Sequence, residues 1–152
     1  MIKETKLYAI KCHADVNHLY GNHEYSFHLK SVYMVALRYN YLITPDEQIN
    51  VLAACWAHDL IEDTRQTYND VKKATNERIA DLAYALTNEK GKNRSDRANS
   101  KYYSEMRLIY GAIFIKICDR IANVEYSKSS GSSMFNKYKK ENDLFIDEVG
   151  NL

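Results

Sequence analysis

The residues best suited to chemistry are two imidazoles and two carboxylates: His28, the adjacent pair His58-Asp59, and Asp119. Together they make a mixed nitrogen and oxygen donor set for one divalent cation. Carboxylate combined with imidazole suits Mn2+, Mg2+, Fe2+ or Zn2+ rather than a thiolate-seeking ion. WAHDLIEDT (56–64) and IKICDRIAN (115–123) set acids directly beside apolar runs. An unpartnered charge buried there would be costly, and a bound cation removes that penalty. Glu62 and Asp63 follow the pair. On an unbroken helix His58 stacks with Glu62 and Asp59 with Asp63, on strips about 100° apart. One strip can then hold the cation while neighbouring acids position its water and shuttle a proton.

Taken alone, some of these residues have a plainer reading. His28, between Phe27 and Leu29, reads as a hydrogen-bonded core histidine. Asp119, among Ile115, Ile117, Cys118 and Ile121, is expected to be buried, with a cation or a base such as Arg120 as its partner. Histidines 13, 18, 23 and 28 recur every five residues. Each step turns a helix by about 140°, so they cannot share one face. The regularity is read as accident, with His18 and His23 as neighbours of a phosphate at most.

The elements that must carry these groups are helical. One proline and five glycines leave little punctuation for sheets, and apolar residues recur at helical spacing. Helices are predicted over 3–19, with a break at Gly21-Asn22, and over 26–41, with Phe27, Val32, Val35 and Leu37 facing inward. Thr44 as N-cap and Pro45 at the first position start a third over 46–62. There VLAACWA (51–57) is apolar all round and should be central. Thr67 and Asn76 begin helices over 68–74 and 77–87. The polar stretch 88–100 reads as an exposed loop, and helices resume over 100–110 and 111–126. SSGSS (129–133) reads as a flexible linker, and 134–148 as an amphipathic terminal helix. The expected fold is all-α, a bundle of about seven helices, with a linker and C-terminal helix over 128–152.

The chain has 152 residues, 45% hydrophobic and 27% charged, with a net charge of +1. That balance gives no drive toward nucleic acid or a membrane surface, and no recognition-helix or zinc-finger pattern is visible. Cys12, Cys55 and Cys118 are odd in number and lack CxxC spacing, so they read as buried reduced thiols. No signal peptide or run of eighteen apolar residues is seen, and a soluble cytoplasmic protein is expected.

YSFHLKSV, AACWAHDLIEDT and FIKICDRIANV, in that order and spacing, resemble the HD-domain metal-dependent phosphohydrolases. The likeness is closest to the RelA/SpoT-type branch that hydrolyses the alarmone (p)ppGpp, including its small stand-alone members. The HD-E-D form (His58, Asp59, Glu62-Asp63) and the Asp119-x-x-x-Asn123 ending mark that branch. The resemblance runs from about residue 10 to residue 127 and implies a single HD-domain helical bundle over 1–127.

It further implies that His28, His58, Asp59 and Asp119 ligate one divalent metal, Mn2+ foremost. Glu62 and Asp63 become the catalytic pair that positions the water and shuttles its proton as it attacks the 3′-pyrophosphate, releasing pyrophosphate and GDP or GTP. Tyr25 matches the tyrosine set against the nucleotide base and Asn123 the asparagine at the sugar. Tyr126 stands where the branch usually has threonine. A polyphosphate needs cations beyond the metal, and Lys90, Lys92, Arg94, Arg97 and Lys101 lie where the branch draws them. The implied partner is a nucleotide, and the terminal helix could cap the domain or pair two chains as a homodimer. One feature departs from the pattern: the branch carries an Arg-Lys pair shortly before the tyrosine, whereas NHLYGNHEY (17–25) has no arginine or lysine. That keeps open an HD nucleotidase acting on a dNTP, a nucleoside monophosphate or NADPH, and a non-catalytic nucleotide-binding module.

Overall fold

The computed structural model describes residues 1–150. Helix α1 spans Ile2–Asp15, and a short antiparallel ribbon, β1 (Leu19–Tyr20) and β2 (His23–Glu24), turns the chain into α2 (Ser26–Tyr39). A 3-10 turn over Asn40–Leu42 leads to α3 (Gln48–Ala57) and α4 (Leu60–Asp63). Then follow α5 (Tyr68–Ala74), α6 (Glu77–Ala85), α7 (Arg94–Arg97), α8 (Ser100–Arg107), α9 (Ala112–Ser130) and α10 (Met134–Gly150). The all-α expectation holds; α4 and α7 are single turns. No helix among the described residues is long and apolar enough to cross a membrane.

The architecture follows from α3. Every side chain from Val51 to Ala57 is buried, and a helix apolar all round must be enclosed. Helices α1, α2 and α6 surround it, and α9 packs along α2. Leu29, Leu60, Ile79, Leu82, Met106 and Ile115 are fully buried, each contributing roughly 1.5–3 kcal/mol of transfer free energy. Thr67 closes a reciprocal capping box with Asp70, and Asn76 accepts from the Ile79 N–H at 2.8 Å, as their positions predict. All three cysteines are free and buried.

Several elements differ from expectation. Helix α1 stops at Asp15, and Gly21, at φ +58°, forms the tip of the ribbon. A Cβ at Gly21 would meet the Tyr126 hydroxyl at 2.7 Å, so the ribbon lies tight against α9. Phe27 and Leu37 are 39% and 37% exposed, outside the core. Thr44 does not cap a helix: its carbonyl accepts from Glu47 N–H at 2.9 Å in a turn, and α3 starts only at Gln48. The segment expected as one helix over 46–62 breaks between Ala57 and Leu60. The 88–100 loop winds one turn, α7, behind an Asn93 cap. Ser129 and Ser130 belong to α9, which ends at Gly131 in the left-handed conformation. Helix α10 then folds back against α8 and α9 and buries Val149.

Candidate metal centre and cavity

The break in the third helix creates the site. His58 Nδ1 lies 2.8 Å from the Cys55 carbonyl, and Asp59 leaves helical geometry at φ −104°, ψ 5° to become the N-cap of α4. On a continuous helix, consecutive side chains point about 100° apart. Across the break they converge, and His58 Nε2 sits 2.9 Å from Asp59 Oδ2. The helix expected to run unbroken therefore turns a corner at His58-Asp59, while the Asp63 N–H still donates to the Asp59 carbonyl at 2.9 Å, one turn on.

Helix α2 brings His28 to this corner and α9 brings Asp119. His28 Nε2 is 3.0 Å from Asp119 Oδ1 and 3.9 Å from Asp59 Oδ2, and His58 Nε2 is 3.7 Å from Asp119 Oδ1. One donor atom each from His28, His58 and Asp119 lies within 4.8 Å of the others. Donors ~2.1 Å from a common ion lie up to ~4.2 Å apart, so a small closure suffices. The His58 Nε2 atom supplies an independent test of fit. It is buried and has no hydrogen-bond partner by geometry, although an Asp59 oxygen lies 2.9 Å away. With Nδ1 engaged by a carbonyl, Nε2 is the ring atom left to face the cluster, as in histidines that bind a metal. The cluster could hold a divalent ion.

Neighbouring groups fix the carboxylates. Tyr25 O–H donates to Asp59 Oδ2 at 2.6 Å. Asn123 Nδ2 donates to Asp119 Oδ1 at 2.8 Å, and its Oδ1 accepts from the Tyr20 hydroxyl at 2.6 Å. Lys116 Nζ, one turn before Asp119, is 3.4 Å from its second oxygen. Burial opposes ionisation of Asp59, but the His58 imidazole outweighs it and holds the carboxyl below its ordinary range. Asp119 is held well below as well, with burial outweighed by Lys116 and the two histidines. The opposite happens at the acid pair. Burial, reinforced by the charges of Asp59 and Glu62, lifts Asp63 to about 7. Loss of water and the Asp59 charge also raise Glu62, whose outer side reaches solvent.

The cluster forms one wall of a cavity of about 290 Å³. Of the predicted site residues, Tyr25, His28, Asp59, Glu62, Asp63, Arg94, Arg97, Asp119 and Asn123 line it. Lys90 and Lys92 do not, and both are exposed. Lys101 faces Glu89 and Glu105 at 3.4 and 3.7 Å. Tyr126 lies outside the cavity, packed on Tyr20 and Phe27 behind the ribbon. His18 and His23 also miss it. His18 stacks on Tyr25 at 3.8 Å and its Nδ1 meets that of buried His13 at 3.0 Å, whereas His23 stacks on Phe27 at 4.1 Å. The spacing of His13 and His18 thus has a structural consequence, because α1 ends at Asp15 and the left-handed Asn17 (φ 53°) turns the chain so that the His18 N–H donates to the His13 carbonyl at 3.0 Å.

Sequence reasoning missed Lys116, Arg120, Tyr138 and Glu141, which line the same cavity. Lys116 was legible as a lone cation in an apolar run three residues before Asp119. Arg120 turns from Asp119 toward Glu141. Tyr138 and Glu141 carried no local signal, since only the return of α10 across the bundle brings them there.

A bundle in which α2, the α3–α4 corner and α9 converge two imidazoles on two carboxylates has the all-α HD-domain fold. No protein-family model matches the chain, and no curated protein matches its sequence. Six solved chains match in structure. One is described in the words "A metazoan ortholog of SpoT hydrolyzes ppGpp and plays a role in starvation responses"; it superposes at a TM-score of 0.75 with 20% identity, covering 99% of this chain and 85% of that one. At that identity the likeness establishes the fold.

Proposed function

We propose that this protein is a divalent-metal-dependent phosphohydrolase acting on the 3′-pyrophosphate of (p)ppGpp or a closely related nucleotide. The convergence of His28, His58, Asp59 and Asp119 beside an acid pair, in a cavity that also holds arginines, carries the reading. The similarity in fold to a ppGpp-hydrolysing SpoT ortholog supports it. His28, His58, Asp59 and Asp119 would hold the ion, Mn2+ foremost. When bound, the ion supplies Lewis acidity and lowers the pKa of its water toward neutrality.

The chain's own groups do the rest. Cys55 O fixes the His58 tautomer, while Tyr25 and Asn123 orient the two carboxylates. Asp63, at about 7, can hold or release a proton near neutral pH, which suits a general acid-base group. Glu62 stands beside it at the cavity mouth to align the attacking water. Arg94, Arg97 and Lys116 present cations to a polyphosphate. Because the Tyr25 hydroxyl is committed to Asp59, its role here is to position a ligand rather than to contact the base. The functional unit in this reading is the 1–127 domain together with the helix of the 128–152 segment.

Incubation of the purified protein with ppGpp and Mn2+ tests the reading through pyrophosphate release. Absence of release, with the metal bound, removes it. One observation favours a second reading, hydrolysis of a dNTP, a nucleoside monophosphate or NADPH: segment 17–25 brings no cation to the cavity. Its Tyr20 instead stacks on His28 at 4.6 Å. A nucleotide panel assayed for phosphate and pyrophosphate separates the two, and tight binding without products would indicate a non-catalytic module.

A further inference from the structure

Glu141 reaches from α10 to the cavity wall and takes two arginines at once. Arg94 Nε and Nη2 lie 2.9 and 3.0 Å from its two oxygens, and Arg120 Nη1 lies 3.1 Å from Oε2. A guanidinium fork closed on two oxygens is the geometry arginine uses on phosphate as well as carboxylate. Hydrogen bonds from Arg94 hold the Glu141 carboxyl below its ordinary range, so it is ionised at neutral pH.

Arg120 is built for more than this contact. Its side chain is only 12% exposed, its guanidinium lies over the rings of Tyr138 and Phe145 at 4.6 and 4.8 Å, and Nη2 donates to Tyr138 O at 2.9 Å. Yet its Nε is buried with no acceptor. A buried charged donor without a partner is expensive in a purely structural ion pair. Among the other cations on the cavity wall, Lys116 faces Asp119. Of these four cations, only Arg97 has no ion pair among the described residues. As it stands, the cavity holds the charges a polyphosphate needs, but most are engaged.

We infer that Arg94 and Arg120 form a subsite for a terminal phosphate or pyrophosphate group, and that Glu141 is an internal placeholder which the incoming anion displaces. The inference rests on the phosphohydrolase reading for its ligand class. A phosphate offers more charge and one more oxygen than a carboxylate, and so can serve the orphaned Nε as well. Helix α10 is thereby coupled to occupancy of the cavity, since its contact through Glu141 is exchanged for the ligand.

The test is calorimetric binding of inorganic pyrophosphate, in EDTA, to the full chain. Glu141→Gln should bind at least fivefold more tightly than the parent, and Arg120→Gln at least tenfold more weakly. In the Arg120→Gln background the gain from Glu141→Gln should shrink to less than twofold. A purely structural ion pair predicts unchanged or weaker binding in Glu141→Gln; that result, or no detectable binding to either protein, overturns the inference. If Glu141→Gln does not fold, Glu141→Asp keeps the charge but shortens the reach. It should bind at least twofold more tightly, and equal or weaker binding then overturns the inference. Nucleotide turnover does not enter this measurement. Ordered pyrophosphate binding without ppGpp hydrolysis would remove the proposed activity and leave the subsite, and the converse result would do the reverse.

Discussion

Tyr25→Phe isolates a single oxygen atom. The Tyr25 ring is held by stacking on His18 at 3.8 Å and His13 at 4.5 Å, contacts that phenylalanine keeps. Only the 2.6 Å hydrogen bond to Asp59 Oδ2 is lost. Burial and the Asp59 charge both push the phenol up, so the lost group is a neutral donor to a carboxylate. A hydrogen bond to a charged group contributes about 1.5–3 kcal/mol. Removing a partner that orients a metal ligand typically lowers metal affinity roughly 10–100-fold, or about 1.4–2.8 kcal/mol. The two ranges agree, so Mn2+ binding measured by calorimetry should weaken by one to two orders of magnitude. Thermal stability of the metal-loaded protein should follow. Mn2+ affinity within about threefold of the parent would refute the positioning role. If KM for the nucleotide rose instead with metal affinity intact, Tyr25 would be contacting the substrate.

Three further outcomes are expected. Glu62→Gln should keep Mn2+ affinity and lose roughly 10²–10⁴-fold in kcat; full activity would show that Glu62 has no part in proton transfer or water alignment. His58→Ala should abolish metal binding while circular dichroism still reports the helical fold, and saturable Mn2+ binding in that variant would exclude His58 as a ligand. His13 sets a pH limit, because burial lowers its pKa from 6.5 to about 4. Between those values the unfolded chain takes up a proton that the native state refuses. Stability from this residue is therefore complete above 6.5 and falls as pH drops to 4, by about 3 kcal/mol. Urea unfolding of the parent and of His13→Gln at pH 7.5 and 4.5 checks this, and equal slopes with pH in the two proteins would exclude it.

Local sequence suffices for the helical class, the central position of 51–57, the caps at Thr67 and Asn76, and the candidate metal-binding residues. These follow from local rules: apolar periodicity, side chains that bond the first turn of a helix, and the expense of burying an unpaired acid. How those residues meet depends on packing between helices. Periodicity carries through His58-Asp59 without a signal, so the corner that aims both side chains at one point was invisible until the His58 ring was seen on the Cys55 carbonyl. The return of α10, which sets Tyr138 and Glu141 against the cavity, was likewise hidden. It depends on contacts between helices far apart in the chain. The same holds for the loop cations: composition groups Lys90, Lys92, Arg94 and Arg97 together, but only the fold selects the two arginines that face inward.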